Sequence, residues 1–133
     1  MDIPPAALTA AEASVLLSIL VTTEDGRVRA GMTGAELEAL LGRLGAEGDR
    51  YVVVERGRVE DQVFMQARRG EDGVFAVEHR AGGPDRHFGV LVDGPGRAAA
   101  LIAAWARKDD AWLAADWTPI DPTEARTRPG IDR

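Results

Sequence analysis

Apolar and polar positions change their spacing several times along the chain, and each change marks an element. Pro4 and Pro5 open the chain without a regular pattern, and Met1 to Ala7 is read as a lead-in. Thr9-x-x-Glu12 then has the form of a capping box and predicts a short helix over Leu8 to Ala13. From Val15 to Thr23 the residues are mainly β-branched or aliphatic. Asp25-Gly26 follows, a pair that supplies the positive φ angles of a two-residue turn. The reading is a hairpin of Val15 to Thr23 and Arg27 to Ala30; the competing reading, one helix from Thr9 to Val21, draws on the local alanine-rich character.

A second capping box, Thr33-x-x-Glu36, precedes Leu37, Leu40, Leu41 and Leu44, whose spacing puts four leucines on one helix face, with Gly45 as the stop. Beyond it the period shortens to that of strands. Tyr51 to Val54, Val63 to Ala67, Val74 to Arg80 and Arg86 to Val92 are separated by polar or glycine-rich turns and predict an antiparallel meander. Ala98 to Arg107 returns to helical character, with Leu101, Ile102 and Trp105 along one side, and a short helical turn is read around Asp110 to Ala115. The expected fold class is α+β: an antiparallel meander sheet of about five or six strands with two main helices on one face. Residues 1–121 form one domain and 122–133, with Pro122, Pro129 and Gly130, a flexible tail.

Composition narrows the function classes. With 45% hydrophobic and 29% charged residues, the 133-residue chain has the balance of one folded domain. It contains no cysteine, which removes disulfide frameworks and thiolate chemistry and favours the cytoplasm. The apolar run from Val15 to Val21 contains Ser18 and is far shorter than the ~20 residues of a membrane-spanning helix; no basic segment precedes it, so no signal peptide is expected. A net charge of −6 argues against nucleic acid or anionic lipid as a partner and suits a basic protein surface.

The densest polar segment is Glu78-His79-Arg80 followed by Asp85-Arg86-His87, which places both histidines on two strands joined by one turn. Side chains of like parity share a face of such a hairpin, so some of these groups converge. Two readings compete. In one, Glu78, Arg80 and Arg86 form a charge ladder on a solvated face with the histidines at the surface or rim. If the hairpin is a recognition ridge, Glu78, Arg80, Asp85, Arg86 and His87 are mostly accessible. In the other, His79 or His87 acts as acid or base in a sheet-lined pocket of a small enzyme or auxiliary ligand-binding protein of a biosynthetic pathway. Metal spacing such as H-x-H is absent and Gly82-Gly83 lacks a phosphate-loop context, so neither a metal nor a cofactor is expected. Trp112 and Trp117 are candidate interface anchors beside the core residue Trp105.

Thr33-Gly34-Ala35-Glu36-Leu37, Tyr51 to Arg56, Phe64 to Ala67, Val77 to Phe88 with its Gly-Gly-Pro-Asp-Arg-His centre, and Trp112 through Trp117-Thr118-Pro119-Ile120 together resemble small actinomycete proteins associated with immunity proteins of bacterial polymorphic toxin systems. The resemblance covers roughly residues 30 to 120 and implies a small α+β, non-catalytic partner that neutralises a toxin by binding it. It brings no catalytic residue. The binding candidates are therefore Glu78, Arg80, Asp85, Arg86, His87, Trp112 and Trp117, the partner is a protein, and an unpaired strand edge could join a second copy in a homodimer.

Overall fold

Both Thr-x-x-Glu phrases start helices. In the computed structural model, which describes residues 7–45, 49–58 and 60–120, Thr9 caps helix α1 (Ala10–Ser14) and Thr33 caps α2 (Gly34–Gly42). The Thr33 hydroxyl accepts from the Glu36 amide at 3.1 Å, and the Glu36 carboxylate accepts from the Thr33 amide at 2.9 Å, so two otherwise orphaned donors are satisfied reciprocally. Val15 turns the chain into extended backbone, so α1 does not run on to Val21 and the single-helix alternative fails. Residues 1–6 of the lead-in and the tail over 122–133 lie outside the described residues.

Among the described residues, seven antiparallel strands form one sheet in the order β2-β1-β3-β4-β5-β6-β7. Strands β1 (Leu16–Thr23) and β2 (Val28–Thr33) are the hairpin closed at Asp25-Gly26. Strands β3 (Tyr51–Arg56), β4 (Val63–Arg69), β5 (Val74–Ala81) and β6 (His87–Asp93) are the meander. The count exceeds the expected five or six because Thr118–Pro119 adds a two-residue strand, β7, on the edge of β6. So short a strand has no periodicity to read. Arg86 is not the start of β6 but the end of a 3-10 turn, Pro84–Arg86.

Helix α3 (Pro95–Ala106) lies against β1, β3, β5 and β6, with α2 beside it. Every residue from Ala98 to Trp105 is buried, so α3 is enclosed rather than amphipathic; its alanines let neighbouring elements approach closely. Leu17, Ile19, Val21, Val52, Val54, Met65, Ala67, Phe75 and Val77 supply the sheet's contribution to this core. Leu37, Leu41 and Leu44 join it, whereas Leu40, expected on the same face, is only half-buried. The alternate positions of the strands point to the other face of the sheet, where no helix packs among the described residues.

Candidate functional site

Strand register decides where the polar hairpin residues go. Arg80 is paired with His87 on one side and Phe64 on the other, and Glu78 with Gly89 and Gln66. Paired residues in an antiparallel sheet share a face, so Glu78, Arg80, His87 and Phe64 all project away from the helices. His79, paired with Met65 and Phe88, projects toward them.

On the helix-free face the groups are joined in one chain. Arg80 Nε donates to His87 Nδ1 at 3.1 Å, Arg80 Nη1 donates to the Gln62 side-chain oxygen at 2.6 Å, and His87 Nε2 meets Glu78 Oε1 at 2.8 Å. Because the guanidinium can only donate, Nδ1 must accept, and the ring proton sits on Nε2, directed at the carboxylate. Both ring nitrogens of His87 are thus engaged. The Phe64 ring lies 6.0 Å from the imidazole and 5.4 Å from the Arg80 guanidinium, closing the network from β4. Desolvation lowers the Arg80 pKa and the Glu78 carboxylate opposes that shift.

This corrects two expectations. Glu78, Arg80 and His87 are 3%, 7% and 1% exposed, so they neither form a solvated charge ladder nor belong to an accessible ridge. Burial is tolerated because a carboxylate, an imidazole and a guanidinium in register satisfy one another. Asp85 and Arg86, in the turn, are exposed as expected. Gly82 enters that turn at φ +115°, a conformation that side-chain-bearing residues rarely adopt, and its amide donates to the Gln62 carbonyl at 2.8 Å. The backbone and side chain of Gln62 therefore both anchor the hairpin. Sequence reasoning placed Gln62 only in a polar connection; no local signal marks a residue whose role depends on a strand 18 positions later.

His79 is also buried, which removes it from the surface or rim. Its ring stacks on Phe88 with centroids 5.0 Å apart and takes Trp112 and Trp117 edge-on at 4.9 and 4.5 Å. Trp117 Nε1 donates to the Trp112 carbonyl at 2.8 Å, which holds the two indoles around the imidazole. Trp112 and Trp117 are half-buried and packed on the core rather than projecting as free anchors.

Burial, reinforced by the Arg56 charge, lowers the His79 pKa from 6.5 to about 4. The folded state therefore resists a proton that the unfolded chain accepts. Stability is fully present above about pH 6.5 and is lost as pH falls toward 4, by roughly 3 kcal/mol over that window at about 1.4 kcal/mol per pH unit. Glu12, Glu24, Asp25 and Glu36, held below their ordinary values chiefly by hydrogen bonds from Thr9, Arg50, Thr23 and Thr33 respectively, add their losses only below the ordinary carboxylate range. Urea unfolding at pH 7.0, 5.5 and 4.8 checks this: the wild type loses stability across the series and His79→Gln shows a much flatter dependence.

A groove of about 980 Å³ at the end of β4 and the start of β5 is lined by Arg50, Arg68, Arg69, Gln66, Asp72 and Glu78. Arg50 is held by Glu24 at 2.6 Å, and Arg69 donates to the Leu44 carbonyl at 2.9 Å. No group of three or more metal-ligating side chains occurs among the described residues, and none of their helices is long and apolar enough to cross a membrane. Comparison with protein-family models, curated proteins and solved structures found no match.

Proposed function

We propose that the protein is a non-catalytic protein-binding domain, an immunity or regulatory partner that neutralises or modulates another protein from the cytoplasm. The observation that carries this reading is the division of the β5–β6 hairpin. Its histidines are committed to packing and internal hydrogen bonds, while Asp85 and Arg86 stand in solvent on the turn. A rigidly held turn with exposed charges loses little conformational entropy on binding. The net charge of −6 favours a partner with a basic surface, a toxin in the immunity reading.

Sheet edges are poor candidates for the contact. The β1–β2 register shifts between Leu17 and Leu20, and β7 is two residues long and contains Pro119, which has no amide to donate. Homodimerisation through an edge is therefore not the contact proposed.

The chain used as bait on extract of its own host at low salt retains a stoichiometric protein. Arg86→Glu weakens retention at least tenfold with a stability change within about 0.5 kcal/mol, as for other exposed charges. Recovery of no stoichiometric protein, or a large drop in melting temperature for Arg86→Glu, contradicts the reading. The arginine-lined groove supports a second reading, binding of a small anionic ligand; a ligand-induced rise in melting temperature abolished by Arg68→Ala would favour it.

A further inference from the structure

A second, smaller groove of about 560 Å³ runs along β6 and β7 on the helix-free face. Its floor is Ala76 and Gly89, and its wall is Pro119 and Ile120. The Ile120 side chain closes over Gly89: a Cβ there would lie 2.7 Å from Ile120 Cδ1, so a larger residue makes the tip of that flexible side chain shift. Leu91 stands on the rim, 71% exposed. The charged side chains among the described lining residues are both acidic, Glu78 and Asp116. Glu78 is buried and meets His87, whereas Asp116 is exposed and forms no ion pair among the described residues.

We propose that this groove receives a lysine or arginine side chain from a basic protein partner, with the aliphatic stem on Ala76, Gly89 and Leu91 and the charged head at Asp116. The inference rests on the protein-binding reading and adds the chemistry that the partner presents. Long cationic side chains combine an apolar stem with a charged end, which is the combination this groove offers. An acidic occupant meets the exposed Asp116 carboxylate and no lining cation; a purely apolar one covers Asp116 without pairing it. Docking also removes Leu91 from water. Gly89 follows Arg86 by three residues, no more than about 10 Å of chain, so one partner surface spans both turn and groove.

The test is titration of the ¹⁵N-labelled full chain at low salt with the peptide acetyl-Leu-Lys-Val-Arg-Leu-amide and with its counterpart carrying glutamate at both charged positions. The basic peptide is expected to shift the amides of Gly89, Leu91 and Thr118, the acidic one to leave them in place, and Asp116→Lys or Leu91→Asp to weaken the basic peptide at least tenfold. Both substitutions are at exposed positions, and melting curves confirm folding. Absence of shifts, equal response to the two peptides, or indifference to Asp116→Lys overturns the inference. If the peptide fails while Arg86→Glu still abolishes retention of a host protein, the groove assignment falls and the protein-binding reading stands; failure of both removes both.

Discussion

Replacing Arg80 by alanine is expected to lower the free energy of unfolding by about 3–5 kcal/mol, the range for removing one member of a buried charged pair. Arg80 is 7% exposed and donates to both His87 and Gln62. Its loss leaves His87 Nδ1 and the Gln62 side-chain oxygen short of a donor and removes a positive charge that interacts with the buried Glu78 carboxylate. Denaturant unfolding checks the magnitude, and Arg80→Lys discriminates its origin. An ammonium retains the charge but cannot reach two acceptors with the guanidinium's planar geometry, so the lysine variant recovers only part of the loss. A cost under about 1 kcal/mol for the alanine variant would place the hairpin's polar groups in water.

The other large effect is expected at Trp105, where truncation to alanine costs about 3–5 kcal/mol. This indole is 2% exposed in the enclosed helix α3. The Arg56 guanidinium lies 4.6 Å from its ring centroid and donates to its backbone carbonyl at 2.7 Å, which ties the end of α3 to β3. Truncation opens a cavity between sheet and helix and leaves Arg56 without its aromatic surface. Calorimetric melting checks the loss, with Trp105→Phe retaining an intermediate stability. Trp112→Ala, at a half-buried position, costs less.

The helix starts were legible because capping boxes are local: Thr9 with Glu12 and Thr33 with Glu36 use atoms three residues apart. The first hairpin was legible for the same reason, through Asp25-Gly26. Parity put Glu78 and Arg80 on a common face, but the ladder reading added Arg86 where the register adds His87, and burial of that face depends on Phe64 and Gln62, which come from distant sequence. Exposure of a polar strand residue is set by its cross-strand neighbours, so the charge pattern read as a surface. The alanines of α3 signalled a helix but not its enclosure, since alanine is at home both in solvent and in tight packing. Leu40 packs against the core with the other three leucines but stays half-buried, at the margin of the stripe. Leu91 and Asp116 carried no signal, because the groove exists only where Ile120 folds over Gly89.

Much of the Gly-Gly-Pro-Asp-Arg-His segment and its flanks is accounted for by architecture. Gly82 sets the turn, Pro84 opens the 3-10 turn, His79 and Phe88 stack beneath it, and Glu78, Arg80 and His87 wire the opposite face. What remains for recognition is the exposed pair Asp85 and Arg86. The central claim is therefore that this hairpin is held by an inward-directed hydrogen-bond chain through His87. Long-range ¹H–¹⁵N correlation spectra of the His87 ring test that claim most directly: the account predicts a proton on Nε2 and a bare, hydrogen-bond-accepting Nδ1, and a ring carrying its proton on Nδ1 would contradict it.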